Sequence, residues 1–529
     1  MDSQDSIENK KGGISKGLIV TIIAILLIGG GVAAYMSLAN SPKATYFSAE
    51  KDNLEYISDK MEERIETESE WYEFTEKNAI DSTLNLSGTY NDPFGGGDFD
   101  TVNPEEIINS SVLTINSQYD LENKELSTSL LADIAGIEFK DINLFMTDEE
   151  ITVQLPFLDD FLQIKGEDLG PFLHELDPLA FPADTEFDLG EIFDYENTVF
   201  SEEDLDYLRE EYLDFIYKEL DDDAFTAEKE EIEIADDSIK AEKLTLHLDE
   251  KEVKELLSSL LDKAKEDDRL KEMIKKQLTG AGPTAQMVND TADEIMAEYE
   301  TAIDEIKTGV NDELMIPDGL TSTIWVDKDR IVKRNFEFTT GTDESNLATF
   351  TIDGIQLLED DYQSFNYDLG YEDAFTDGVL TILGDLSYID DKIEDSIKLQ
   401  VDDFEIAYTA DETIKDGKRD FERIFTASED TDFGSIVWSG NSEYEKDNMN
   451  SEHEVTLEIE DMPQEVASLN VAISSEKIKE VDLPQDESIK DIGSMSTDEL
   501  EEYIDGDATE QFENWLVQIM GSFGGSFGF

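Results

Sequence analysis

Hydrophobic positions follow three different patterns along this chain. Gly17 to Ala39 (GLIVTIIAILLIGGGVAAYMSLA) runs for 23 residues without a charge. At about 1.5 Å per residue a helix of that length covers roughly 35 Å, enough for a bilayer core. A retained anchor is expected there, with a cleaved signal peptide as the alternative because Ser37-Leu38-Ala39 supplies small residues after the apolar run. Lys10, Lys11 and Lys16 precede the segment and Lys43 and Lys51 follow it. The bias predicts residues 1–16 as a cytoplasmic tail, 17–39 as a single-pass span of the cell membrane and an extracytoplasmic body.

The second pattern is helical. Pro42 opens a stretch with Phe47, Leu54, Ile57, Met61 and Ile65 near one face, read as a stalk or docking helix. Ser201 with Asp204, and Asp249 with Glu252, look like helix starts. Behind them Leu205, Leu208, Tyr212 and Phe215, and then Val253, Leu256, Leu257, Leu260 and Leu261, recur at helical spacing. Another helix is predicted from about Pro283 to Lys307.

The third pattern has period two. It begins at Leu84 and Leu86, continues through Ile142, Leu144 and Met146, and resumes beyond Pro317. Ile397, Leu399 and Val401, then Phe404, Ile406 and Tyr408, then Leu469, Val471 and Ile473 read as half-buried strands. Short polar joins at 121–124 (LENK) and 147–150 (TDEE) suit hairpins. The order helix then strands occurs twice. The expectation is therefore an α+β fold with one N-terminal transmembrane helix and antiparallel β meanders covered by helices. It falls into two similar halves, 40–225 and 226–529, the second ending in an aromatic helix and a Phe/Gly tail.

Composition narrows the function. Lys+Arg 39 against Asp+Glu 130 gives a net charge of −91, which repels phosphate backbones and excludes nucleic acid as a partner. A hydrophobic share of 39% is enough to build cores, so the acids decorate a folded body. They predict greater stability in salt and a diffuse cloud of divalent cations. The absence of cysteine removes disulfides, thiol nucleophiles, thiolate metal sites and a lipid-modified cysteine anchor.

Candidate chemistry is sparse. His174, His247 and His453 do not share metal-ligand or triad spacing, and no G-x-S-x-G elbow, P-loop or H-E-x-x-H occurs. No catalytic residues, no cofactor and no enzymatic activity are expected. Asp184, Glu186 and Asp188 are the only weak metal candidates: Leu189 replaces the turn glycine of a calcium loop and Tyr195 its final glutamate. Late lysines at Lys271, Lys275 and Lys276 suit a helix C-terminus, with acidic lipid headgroups or the protein's own acidic sheet as alternative contacts. Phe512, Trp515, Leu516, Ile519 and Met520 form a short apolar face expected to dock on the parent domain, with a partner protein or the membrane surface as alternatives.

The apolar N-terminal segment, the adjoining SPKATYFSAEK at Ser41 to Lys51 and the long acidic strand-rich body resemble an uncharacterised family of membrane-anchored envelope proteins of Gram-positive bacteria. The resemblance implies an envelope location and carries no site residues with it. Architecturally the chain is also similar, distantly, to half-barrel lipoprotein-carrier and lipid-transfer proteins. The favoured expectation is a non-enzymatic interaction or scaffold protein with an envelope-protein partner. The alternative is a carrier for a lipid or other apolar ligand, which calls for a concave apolar cavity.

Overall fold

The computed structural model describes residues 41–91, 103–177, 181, 187–193, 201–234, 237–279, 285–429, 431–459, 462, 465–484 and 488–526. Helix α1 (Pro42–Glu76) comes first. Ser41 Oγ accepts the Ala44 N–H at 3.2 Å, and Pro42 sits in the first turn, where its missing N–H costs nothing. Then follow β1 (Ile80–Tyr90), α2 (Pro104–Asn109), β2 (Val112–Asp120), β3 (Glu125–Ile134), β4 (Ile137–Thr147), β5 (Glu150–Gln154), β6 (Phe161–Lys165), α3 (Gly166–Leu176), α4 (Glu202–Leu208) and α5 (Asp214–Glu219). The middle holds β7 (Phe225–Ile234), β8 (Asp237–Leu248), α6 (Glu250–Glu266), α7 (Asp268–Thr279) and α8 (Ala285–Asp312).

A long meander completes the chain: β9 (Leu320–Asp327), β10 (Arg330–Thr340), β11 (Ala348–Glu359), β12 (Tyr362–Asp373), β13 (Asp377–Ile389), β14 (Lys392–Val401), β15 (Phe404–Lys415), β16 (Lys418–Glu429), β17 (Thr431–Tyr444), β18 (Asn448–Glu458) and β19 (Ala467–Lys477). After it come β20 (Ile489–Asp491), α9 (Thr497–Tyr503) and α10 (Thr509–Ser526). Tight turns join the strands. Asp390 and Asp391 both have positive φ, as do Asp416 and Gly417, which matches the twist of the flanking strands.

Among the described residues, twenty strands belong to one sheet. From one edge it runs β7 through β19 in chain order, then β1 through β6, and ends on β20. Pairing is antiparallel except for β20 on β6, which is parallel. The closing step of the meander is β19 against β1, in the register Gly88↔Leu469 and Leu84↔Ile473.

This architecture corrects the expected α+β fold of two helix-covered halves. Period-two patterning assigns a face to each residue but does not choose a strand's partner, and β1 pairs with β19 from the far end of the chain. One sheet therefore spans both expected halves. The single-pass placement in the cell membrane is also corrected. Among the described residues no helix is long and apolar enough to cross a membrane, a statement about helices alone. The expected span at 17–39 lies outside the described residues.

The main core occupies one end of the sheet. Tyr46, Phe47 and Ala49 of α1 pack with Val253, Leu256, Leu257 and Leu261 of α6, Ile303 and Val310 of α8, and Phe225, Leu244, Leu246, Leu320, Ile324, Phe336 and Phe338 from β7 to β10. The helix α6 begins with a full capping box between Asp249 and Glu252. On the opposite face Ile232, Ile234, Ala241, Trp325 and Val332 form a smaller cluster. Beyond this end, α1 continues across the same face of the sheet.

Candidate functional site

The site follows from what α1 does after it leaves the core. Its inward side chains change from aromatic to charged and amide. Glu50 receives both Arg334 guanidinium nitrogens at 2.7 and 2.6 Å, and Asn53 accepts from Gln356 at 2.7 Å. Farther along, Arg64 donates to Asp395 at 2.6 Å and Glu68 accepts from Arg419 Nε at 2.7 Å. Arg419 also donates to Glu412 and to the Arg64 carbonyl, while Arg423 Nε reaches Glu412 at 2.7 Å. Burial opposes ionisation of Glu412, but Arg423 and Arg419 outweigh it and hold the carboxyl below its ordinary range. Burial likewise opposes the Arg334 charge, and Glu50 raises its pKa regardless. Burial pushes Asp395 up against the pull of Arg64.

The helix is thus seated on the sheet by ion pairs, and its own hydrophobic residues are left over. Ile57, Met61 and Ile65 are 41%, 53% and 50% exposed. Their direction follows from Tyr56, whose hydroxyl donates to the Glu359 carbonyl at 2.6 Å, at the turn between β11 and β12. Ile57, Met61 and Ile65 stand about 100°, 140° and 180° around the helix from Tyr56. Arg64 and Glu68, bonded to the sheet, stand at about 80° and 120° by the same count, so Ile57 shares their side while Met61 and Ile65 turn progressively toward the opposite strand ends.

At those opposite ends the sheet is uncovered. Register pairs Val401 with Phe404, Leu399 with Ile406, Tyr408 with Phe425, Phe425 with Ile436, Ile436 with Leu457, and Val455 with Leu469. Directly opposed residues share a face, so these side chains form one stripe across β14 to β19. It is the face on which Arg334, Glu412 and Arg423 meet α1, since Arg423 and Phe425 alternate along β16 on the same side. Val401, Phe404, Ile406, Phe425, Ile436, Leu457 and Leu469 are each between 39% and 45% exposed. Six strands at about 4.8 Å spacing make the stripe about 24 Å long. Along the sheet α1 advances from Gln356 of β11, beneath Asn53, to Asp395 of β14, beside Arg64, so only the Ile65 end of its apolar residues reaches this stripe.

Two polar clefts have less to offer. One of about 740 Å³ is lined by Tyr207, Lys263, Asp267 and Arg269. Its groups satisfy one another: the Tyr207 and Tyr212 hydroxyls donate to Asp267, and Arg269 pairs with Glu203 and Asp204. Burial and the Asp267 carboxylate push the Tyr207 hydroxyl up to about 12. The other cleft, about 350 Å³, lies over β17 to β19 and β1 and is lined by Asn85, Ser439, Asn441, Glu452 and His453 among others.

The sequence candidates scatter. Asp184 and Glu186 lie outside the described residues, and Asp188 Oδ1 accepts the Gly190 N–H at 2.8 Å. Among the described residues no group of three His, Cys, Asp or Glu is placed to hold a metal ion. His174 meets the Phe181 carbonyl at 2.7 Å, exposed His247 meets Thr321 at 2.9 Å, and His453 sits beside Phe421 and Trp438. Lys263, Lys265 and Lys271 pair with Glu211, Asp304 and Glu300, so they tie helices together. On α10, Phe512 and Trp515 pack on Phe157, and Trp515 also meets Phe139. The residues that sequence reasoning missed are the ionic seat. Its one available signal was the run of Glu50, Asn53, Arg64 and Glu68 on a single helix side.

No protein-family model and no curated protein matches this chain. Solved structures that resemble it include Pseudomonas aeruginosa OccK3 (OpdO), 6% identical over 76% of this chain and 95% of that one, with a TM-score of 0.22. Pseudomonas aeruginosa OpdQ is 7% identical over 76% of this chain and 97% of that one, TM-score 0.22. Acinetobacter baumannii OccAB2 is 7% identical with the same coverage of each chain, TM-score 0.23. At such scores the likeness carries no argument about fold, location or function.

Proposed function

We propose that the protein is a non-catalytic binding protein for an elongated apolar ligand lying along the open stripe of β14 to β19. One observation carries this reading: Val401, Phe404, Ile406, Phe425, Ile436, Leu457 and Leu469 stand 39% to 45% exposed in one line across six strands. Left in water, that surface is unfavourable. Covering the stripe contributes on the order of 1 kcal/mol for each side chain partly buried. A ligand that lies along it gains that contribution without rearranging the ion pairs under α1. An enclosed cavity is not required; an open stripe suits a long, thin occupant better than a compact one.

Native mass spectrometry of the full chain, isolated from a lipid-containing host, tests this. Bound acyl species should be present in the wild type and absent from the Ile406→Asp/Ile436→Asp double variant. Equal adducts on both forms, or none on either, would contradict the reading. Recovery of a single protein partner lost only in the double variant would assign the stripe to a polypeptide segment, as an interaction protein requires.

A further inference from the structure

The two ends of the strands differ in what their turns carry. At the end where Tyr56 of α1 meets the Glu359 carbonyl, the turns are Lys328-Asp329, Asp360-Asp361, Asp390-Asp391 and Asp416-Gly417, polar throughout, and Ile389 is the exposed apolar residue beside them. At the other end the β12–β13 turn carries Phe375, Val401 and Phe404 flank the β14–β15 turn, and Ile134 opens the β3–β4 turn. All four are exposed, Phe375 to 85%. A fixed turn holds it out: Asp373 Oδ1 accepts the Phe375 and Thr376 N–H groups at 2.8 and 2.9 Å, and the Asp373 N–H donates to the Thr376 carbonyl at 2.8 Å.

The chain enters the described body at this same end. Strand register carries one line from Phe225 of β7 through Ser322 of β9 and Phe336 of β10 to Val401 and Phe404. Tyr46 meets Ser322 at 2.7 Å and packs on the Phe225 ring, and Lys43 bonds the Leu220 carbonyl just ahead of β7. Helix α1 therefore starts at the Phe375 end and reaches the acidic turns at Tyr56. Whatever precedes Ser41 leaves from the Phe375 end, and Gly17 to Ala39 within it carries no charge.

Consecutive turns at one end of the sheet lie two strands, about 10 Å, apart. Apolar points so spaced, with Asp373, Asp402 and Asp403 between them, do not make the continuous contact of about 1,200 Å² that a stable pair of copies needs, and each copy carries −91. A lipid surface closes around each point separately and leaves the neighbouring carboxylates in the hydrated headgroup layer. We infer that the Phe375 end of the sheet docks on a lipid surface, with Phe375 and the Val401/Phe404 turn entering the headgroup–acyl boundary. This docking is independent of any occupant on the stripe.

The chain has no cysteine, so one introduced thiol reports one position. Ala374→Cys, beside Phe375, and Asp361→Cys, at the opposite end, are both exposed turn positions. Each would carry an environment-sensitive fluorophore in the full-length protein, mixed with phosphatidylcholine vesicles that contain chain-nitroxide lipids. Emission from the Ala374→Cys label should fall about twofold or more, and that from the Asp361→Cys label should not change. Adding Phe375→Asp to Ala374→Cys should remove most of the quenching. Quenching of neither label, equal quenching of both, or quenching that Phe375→Asp leaves unchanged would overturn the docking. A label shift that needs no vesicles and grows with protein concentration would give this end to a second copy and overturn it as well.

Discussion

Arg64 and Asp395 meet at 2.6 Å where α1 crosses β14, each with about a tenth of its side chain exposed. Removing one partner strands the other charge away from water. Arg64→Met should destabilise the protein by about 3 kcal/mol or more in urea unfolding. The Arg64→Met/Asp395→Leu double variant should recover much of that loss, because a buried pair replaced by apolar groups of similar size is close to neutral. Additive losses in the cycle would mean that the two residues do not act as a pair.

How far this arrangement was legible in the sequence differs by element. Asp249 with Glu252 announces α6, and the capping box is present; Ser201 accepts the Asp204 N–H at 3.1 Å at the start of α4. The alternation at Ile397, Leu399 and Val401 coincides with β14, and the LENK join coincides with the turn between β2 and β3. These are local signals. The pairing of β1 with β19 has none, since any strand with an apolar face satisfies the same alternation. The face of α1 was misread for a related reason. Ile57 and Met61 lie seven residues before Arg64 and Glu68, on nearly the same helix side, and the sheet beneath presents Asp395 and Arg419, which pair with those charges rather than with apolar groups.

Two glycines make a paired prediction. A side-chain carbon on Gly384 would come within 2.0 Å of the Phe365 ring, which crosses over it from β12, whereas one on Gly378 would meet nothing within 4 Å. Gly384→Ala should cost about 1–3 kcal/mol by displacing the ring, and Gly378→Ala should be nearly silent. Thermal melts of the two variants decide it; equal melting temperatures would contradict the packing.

His453 predicts a pH dependence. Burial, and after it the Arg423 charge, hold its pKa below the ordinary 6.5. The unfolded chain therefore takes up this proton before the folded one does, and stability falls as pH drops below about 6.5 toward the folded value. His453→Gln should flatten the stability profile in that window and leave it unchanged above pH 7. An identical slope in wild type and variant would assign the effect to other groups.

The acidic surface predicts a salt effect of opposite character to that of its ion pairs. Self-repulsion at −91 is screened by salt, while the pairs under α1 are buried and screened less. The melting temperature should rise from low to moderate sodium chloride. A steady fall would mean that exposed ion pairs, not repulsion, dominate the balance.

The most direct measurement of the stripe is photo-crosslinking of the full-length protein with a long-chain alkyl probe carrying a diazirine in its chain, followed by peptide mapping. Labelling concentrated on Ile406, Phe425, Ile436 and Leu457 is the predicted result. Labelling spread over the opposite face of the sheet, or confined to residues 17–39, would contradict it.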